Sequence, residues 1–144
     1  MLVCGAWPSH ITTVPITWTV SHSERLVVLR IEGPLDYDDL QGSLTDVIAE
    51  GGLPYRKLLD AREGHTVMRD DEAAAYASTL KYQARIDNLG PYAVVVGPDE
   101  GHAHDAILSR LLQLPVRPIR MFFSVDEAHD WLKSQPVPGD LSGL

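Results

Sequence analysis

The chain is poor in cysteine and contains no long uninterrupted run of apolar residues. Its single cysteine, Cys4, cannot form an internal disulfide, so nothing indicates an oxidising compartment. No stretch approaches the roughly 18 apolar residues of a membrane-spanning helix, and residues 1–9 lack the basic start and apolar centre of a secretory signal. We therefore expect a soluble protein of the cytoplasm without stable membrane insertion.

Basic residues are also scarce, since 12 lysines and arginines stand against 20 acidic residues, giving a formal net charge of -8. Phosphate backbones and anionic lipid surfaces repel a chain of this sign, so nucleic acid is not an expected partner. The local basic concentrations, Arg56-Lys57 and the segment Arg117–Arg120, are not interleaved with stacking aromatic residues. We expect both to lie on the solvated surface.

Motifs that usually mark catalysis are missing. The sequence has neither a Gly-x-Ser-x-Gly elbow nor a glycine-rich phosphate loop, and its candidate nucleophiles are poorly placed, Cys4 near the N-terminus and Ser109 within a predicted helix. His102 and His104 are two residues apart at a predicted helix start, where they point to different faces. We therefore expect no catalytic residue, no metal and no cofactor.

Length and composition are those of one ordinary domain. With 144 residues and 44% hydrophobic content, the chain can bury a core without disulfides or a structural metal. We expect a loosely ordered segment at 1–15 and a single domain at 16–134. Residues 135–144 are expected to form a flexible tail, because proline, glycine and serine predominate there.

Short β-branched and apolar runs predict strands. Ile16–Val20 and Leu26–Ile31 flank a short polar segment and predict a β-hairpin, and Gly33-Pro34 is expected to end its second strand. Lys57–Ala61 is expected to be a strand buried on both faces, and Tyr92–Val96 is expected to be another buried strand. The last strand is expected at Arg120–Phe123.

Apolar residues at helical spacing predict four helices. The first ends at Gly51-Gly52, and the second runs from about Asp70 to Asn88, with acidic residues at its positively polarised start. The last begins at Ser124, which has capping-box spacing to Glu127. The expected inward stripes are Leu40, Leu44, Val47 and Ile48; Ala73, Ala77, Leu80 and Ala84; Ile107, Leu108, Leu111 and Leu112; and Val125, Ala128 and Leu132.

The resulting order of elements is β-β-α-β-α-β-α-β-α. Right-handed crossovers place strands two to five parallel, which predicts an α/β fold with a four- to five-stranded, mostly parallel sheet, an N-terminal β-hairpin and a frayed C-terminal tail. In this order, and in Leu26–Gly33, Lys57–Asp60 and Phe122–Leu132, the chain resembles the STAS superfamily, particularly small bacterial SpoIIAA-like proteins. The resemblance spans residues 16–133.

In anti-sigma-factor antagonists of this superfamily, a partner kinase phosphorylates a Ser or Thr that follows an Asp at the start of the second helix. The matching stretch here looks like Met68–Glu72, which has no hydroxyl, and in the other register, Asp60–Arg62, the position holds Ala61. We expect no phospho-acceptor at this helix start. Asp70 and Asp71 are interpreted first as capping residues that offset the helix dipole.

The resemblance implies a non-catalytic, regulatory or protein-binding domain. Its expected docking surface is a loop from Asp60 to Arg69 together with the start of the second helix, and its partner is another protein or a second copy of the chain in a homodimer. The residues expected to contact the partner are Asp60, Arg62, His65, Thr66, Arg69, Asp70 and Asp71.

A first alternative is a carrier or sensor of a small apolar ligand, since CRAL-TRIO lipid carriers share this fold. The residues that would contact such a ligand are Tyr76, Leu80, Tyr82 and Phe122.

A second alternative is a metal-dependent or acid–base enzyme. Parallel sheets gather ligands at the carboxyl ends of their strands, because loops and helix N-termini converge there. Asp60 and His65 would then approach a mixed set of side chains able to bind a divalent metal or transfer protons. That set is Asp99, Glu100, His102 and His104.

Overall fold

A computed structural model describes residues 15–87, 89–97 and 117–135. Over these ranges the chain forms five strands and three helices. The strands are β1 (Ile16–Ser21), β2 (Leu26–Leu35), β3 (Arg56–Thr66), β4 (Tyr92–Val95) and β5 (Ile119–Phe122), and the helices are α1 (Tyr37–Ala49), α2 (Asp70–Ile86) and α3 (Val125–Lys133). The helix expected between β4 and β5 lies outside the described residues.

The described strands form one sheet in the order β1-β2-β3-β4-β5. β1 pairs antiparallel with β2, and Arg25 takes a left-handed conformation, with φ 51°, just before β2. β2, β3, β4 and β5 are parallel to their neighbours. The predicted α/β fold, with its N-terminal hairpin and mostly parallel five-stranded sheet, is therefore confirmed.

One face of the sheet is covered by α1 and α2, which also pack against each other. Most of the residues predicted to face inward on α1 and α2 are buried, whereas Ile48 and Ala84 are partly buried. The stripe predicted at residues 107–112 lies outside the described residues. Helical residues of this core include Leu40, Leu44, Val47, Ala73, Ala77 and Leu80, which join sheet residues Leu29, Leu59 and Val94 in the main hydrophobic cluster.

The opposite face of the sheet is covered by α3. Successive strand residues point to opposite faces, so Leu58 and Val95 pack here while their neighbours face α1 and α2. Ala128 and Leu132 of α3 complete this second cluster. None of the helices in the described ranges is long and apolar enough to cross a membrane.

Both ends of α3 are fixed by hydrogen bonds. The Ser124 hydroxyl accepts a hydrogen bond from the Glu127 N–H at 3.3 Å, as the spacing of these residues predicted. At the other end, Nε and Nη2 of Arg56 donate to the Gln135 carbonyl oxygen at 3.1 and 2.9 Å. The start of β3 is thereby tied to the residues that follow α3.

β2 and β3 are longer than the sequence predicted. The break expected at Gly33-Pro34 is wrong, and so is the loop expected from Asp60 to Arg69 over most of its length, since both segments lie in strands. β2 pairs with β3 over residues 32–35 and 63–66 after a register shift near Arg30. The ladder pairs the backbone polar groups of these segments that face the neighbouring strand, and Gly33, at φ 76°, accommodates the irregular conformation.

The expectation that Arg56-Lys57 is solvated surface is also wrong. Lys57 is only 4% exposed, and Arg56 is half-buried. Lys57 is the second residue of a strand that is covered on both faces, so its side chain enters the core whatever its polarity. In the other segment rich in basic residues, Arg117–Arg120, Arg120 is exposed but Arg117 is half-buried.

Leu80 provides a test of the main cluster, because its side chain is 1% exposed on the sheet-facing side of α2. We predict that Leu80→Asp removes the cooperative unfolding transition, since it buries an unpaired charge. Leu80→Ala should lower the free energy of unfolding by about 2–5 kcal/mol. Tyr82→Asp, at a 60% exposed position of the same helix, should unfold like wild type. Urea titrations followed by circular dichroism make the comparison, and a cooperative, near-wild-type transition for Leu80→Asp would refute this burial.

Candidate functional site

The carboxyl ends of β2 and β3 form a two-stranded extension of the sheet. The described pairing of β1 reaches Ile31 of β2, and that of β4 reaches Asp60 of β3. β2 residues 32–35 and β3 residues 63–66 continue beyond these points, paired with each other. We call these two segments the ribbon.

Two features hold the ribbon in place: close packing between its two strands and one backbone hydrogen bond at its end. A Cβ added to Gly64 would overlap the Ile31 side chain and lie 2.9 Å from the Ile31 carbonyl carbon, so the two strands touch here. The Leu35 side chain is fully buried, and its carbonyl oxygen accepts a hydrogen bond from the Val67 N–H at 2.8 Å. The chain is thereby directed from β3 into α2.

Both helices of this face begin at the end of the ribbon. Asp36 directly follows β2, and its Oδ1 accepts a hydrogen bond from the Asp39 N–H at 2.9 Å, which caps α1. Arg69 precedes α2, and its N–H donates to Glu72 Oε1 at 3.0 Å. The carboxylates of both first turns are favoured by the partial positive charge of the helix N-termini. We call them the acidic edge: Asp36, Asp38, Asp39, Asp70, Asp71 and Glu72.

The surroundings of the carboxylates differ between the two helix starts of the acidic edge. Burial and the neighbouring Asp36 carboxylate raise the pKa of Asp39. On α2 the opposite occurs, because Arg69 Nε donates to Asp71 Oδ1 at 3.0 Å and lowers the pKa of Asp71. At the start of α2, the Arg69 cation thus partly neutralises the carboxylates, whereas the shift of Asp39 at the start of α1 has no such cationic contribution.

Asp60 and Arg62 form a forked ion pair along β3. Arg62 Nε donates to Asp60 Oδ1 at 2.9 Å, and Nη2 donates to Oδ2 at 2.8 Å. The hydrogen bond from Arg62 lowers the pKa of Asp60 against the opposing effect of burial. Asp60 is therefore already engaged by a cation, in a strand and not in a loop.

The residues predicted to contact a partner are only partly brought together. Arg62, His65, Arg69, Asp70 and Asp71 are exposed, whereas Asp60 and Thr66 are partly buried. Chain continuity places Thr66, Arg69, Asp70 and Asp71 at the end of the ribbon. Asp60 lies further back, where β3 still pairs with β4.

Sequence reasoning missed several residues of this surface. Asp36, Asp38 and Asp39 lie at the same edge, and Val67 is 52% exposed between the ribbon and α2. The available signal was the aspartate-rich start of α1, which has the composition of a capped helix start. That composition shows where α1 begins but not that α2 begins beside it.

The residues proposed for an apolar ligand do not share one site. Tyr76 and Leu80 belong to the main cluster, Phe122 packs on the opposite face with α3, and Tyr82 is exposed. A cavity of about 20 Å³ adjoins Tyr76 and Leu80. It has room for about one water-sized group and is far below the ~300–1,000 Å³ typical of ligand pockets.

The acid–base alternative is not assembled by the described residues either. Asp60 and His65 lie in β3, but Asp99, Glu100, His102 and His104 fall outside the described residues. Within 15–87, 89–97 and 117–135, no group of three or more His, Cys, Asp or Glu side chains could hold a metal ion.

Gly64 tests how tightly the ribbon is built. We predict that Gly64→Ala destabilises the protein by about 1–3 kcal/mol, since the new methyl group overlaps Ile31. The control is Gly42→Ala in α1, where a Cβ meets nothing within 4 Å and should stabilise by roughly 0.5–1 kcal/mol. Chemical unfolding curves of both variants and wild type test this prediction. Equal midpoints for the two variants would contradict the close contact between Gly64 and Ile31.

The Asp60–Arg62 pair predicts a change in titration. Because the folded-state pKa of Asp60 is lowered, the pair stabilises the protein above the unfolded-state pKa, and this contribution is lost as pH falls through the folded-state pKa. Arg62→Gln should raise the pKa of Asp60, measured by NMR titration of its side-chain carboxyl carbon. Arg69→Gln, which removes the cation beside Asp71, should leave the Asp60 titration unchanged; equal curves for wild type and Arg62→Gln would contradict the pairing.

The chain was compared with known families, sequences and structures. No protein-family profile matches it, and no curated protein sequence is significantly similar. An uncharacterised protein of the DUF3478 family with a SpoIIAA-like fold, from Shewanella loihica PV-4, is 16% identical, with a TM-score of 0.56 over 81% of this chain and 93% of that one. The anti-sigma factor antagonist SpoIIAA in its unphosphorylated form is 14% identical, with a TM-score of 0.51 over 82% and 97%. At these identities the likeness shows the fold alone.

Proposed function

The chain has a SpoIIAA-like fold, and on this basis we propose that it is a non-catalytic regulatory domain of the cytoplasm that binds a protein partner through the acidic edge and the ribbon. The observation that carries the proposal is that two acidic helix starts follow the two strands of the ribbon, in which Glu32, Pro34, Glu63 and His65 are exposed. Support comes also from one of the similar structures, SpoIIAA, which is an anti-sigma factor antagonist and so acts on another protein.

The proposed partner presents a basic surface with an apolar centre. The acidic edge attracts cationic side chains, and Arg69 is already paired with Asp71 and close to Glu72. Val67, more than half exposed beside Arg69, offers an apolar contact. Complementary charges of this kind mainly raise the association rate and fix orientation, and salt screens them.

A heterologous partner is favoured over a homodimer through the same surface. Two copies that met at the acidic edge would oppose like charges, which is unfavourable. A homodimer, the other partner considered from the sequence, would therefore use a different surface, such as the exposed apolar side chains of Tyr82 and Ile86 on α2.

We further propose that binding is not switched by phosphorylation at the start of α2. The N-cap and first turn, Arg69–Glu72, contain no hydroxyl. Asp70 and Asp71 instead provide a constant negative charge, which resembles phosphate in sign but lacks its higher charge and its three acceptor oxygens. Thr66, the nearest hydroxyl, lies within β3, where it pairs with Leu35.

A charge-reversal experiment tests the docking surface. We predict that the double variant Asp70→Lys with Asp71→Lys loses at least about tenfold of the partner captured by cross-linking from a lysate, because it reverses two of the three carboxylates of the acidic edge at α2. The fold should persist, since two charges at a helix start contribute only about 0.3–1 kcal/mol each. Capture by wild type should also weaken as salt rises.

The matched control reverses the corresponding charges of α3, with Asp126→Lys and Glu127→Lys. These residues are likewise exposed in a first helical turn, but α3 covers the other face of the sheet. Capture should match wild type for this control. Equal loss in both double variants, or no loss in either, would refute the proposed surface, and sedimentation of the purified chain would show whether a captured partner is a second copy.

A further inference from the structure

Lys57 places its side-chain amine inside the core, at the amino end of β3. Its Nζ donates hydrogen bonds to the carbonyl oxygens of Leu53 and, at 2.9 Å, Tyr55. In its protonated form the amine carries three N–H donors, so one remains after these two bonds, and a nearby anion favours that form. Burial lowers the pKa of the Lys57 amine well below its usual value, and the charge of Arg117 acts in the same direction.

Arg117 is the second cation of this region. Its guanidinium carbon lies 4.3 Å from the centre of the Tyr92 ring. Stacking on a ring satisfies the flat face of a guanidinium but leaves its five N–H donors, which lie in the plane, to find acceptors. Lys57 and Tyr92 pair across β3 and β4, which explains why the two cations are neighbours.

Two buried hydroxyls lie beside these cations. Tyr76 is 6% exposed and Tyr92 is 7% exposed. Within the described part of the chain, neither hydroxyl has a protein hydrogen-bond partner, although buried tyrosine hydroxyls usually find one. Burial raises the pKa of both phenols, so both stay protonated and can donate.

These four side chains line a single cavity of about 20 Å³. The remaining wall is supplied by apolar residues of α1, α2 and β2 and by Ser43, whose hydroxyl already donates to the Leu40 carbonyl oxygen. No carboxylate is among the described residues of the lining. Asp87 attracts Lys57 electrostatically but does not line the cavity. The described lining therefore combines two basic side chains and three hydroxyl groups without a carboxylate, and its side-chain acceptors are hydroxyl oxygens that carry no formal charge.

We propose that this cavity binds a small monovalent anion of the size class of chloride, held by Lys57, Arg117 and the hydroxyls of Tyr76 and Tyr92. An anion supplies the acceptor that the donors need and offsets the buried positive charge. The volume admits about one water-sized group, which excludes phosphate and sulfate. The apolar remainder of the wall disfavours a multiply charged ion. The site is independent of the acidic edge, which lies at the other end of the same strands.

Chlorine NMR of the full chain tests the proposal, because exchange with a protein site broadens the free chloride line. We expect saturable broadening with wild type that bromide reverses and phosphate does not. Arg117→Gln should abolish the saturable part. Tyr76→Phe, which keeps the ring and removes one donor, should weaken chloride affinity by roughly tenfold. Circular dichroism confirms the fold of each variant, and Tyr76→Phe keeps the test valid if Arg117→Gln unfolds.

Arg85→Gln is the control, since Arg85 is exposed on α2 and does not line the cavity. Its broadening should equal that of wild type. The proposal is overturned if wild type shows no saturable broadening, which would assign the cavity to water. It is also overturned if Arg85→Gln loses as much broadening as the cavity variants, or if Tyr76→Phe binds chloride like wild type.

Discussion

The parallel pairing of β2 with β3 is the contact on which the other features depend. A chain that leaves one parallel strand must cross over the sheet before entering the next, and here α1 makes that crossing. The ladder extends from Leu26 and Arg56 to Leu35 and Thr66. Its carboxyl end sets where α1 and α2 begin, and its amino end carries Lys57 into the core. The acidic edge thus lies at one end of this ladder, and the cavity that contains Lys57 lies towards the other.

Local patterns in the sequence predicted much of the fold. The features that they did not predict depend on pairing between segments that are far apart in the sequence. The apolar stripes of the helices and the burial of both Leu58 and Leu59 can be predicted from the spacing of apolar residues, which is visible in the sequence itself. Gly33-Pro34 has the composition of a turn, yet pairing with β3 retains it in a strand. Lys57 could have been predicted as buried, because a strand covered on both faces leaves no solvated side, but its charge alone suggests surface.

The candidate site was predicted in part for the same reason. Asp70 and Asp71 were identifiable from one helix start, whereas the contribution of Asp36 requires knowing that β2 and β3 are neighbours, so that α1 and α2 begin side by side. Conversely, Tyr76 and Phe122 seemed compatible with one apolar site. Only the positions of α2 and α3 on opposite faces of the sheet show that they cannot meet there.

The direction of the helices explains why charge of opposite sign collects at the two ends of the ladder. Because β2, β3 and β4 are parallel, α1 and α2 run the other way, with their positive N-terminal ends at the carboxyl edge of the sheet. Carboxylates are favoured there, in contact with water. Side chains of both helices line the cavity together with Lys57, Tyr92 and Arg117, where water is scarce. Exposed acids are solvated without further help, whereas a buried cation is stabilised by a counter-charge. The topology thus places the proposed docking surface at one edge of the sheet and the proposed anion site towards the other.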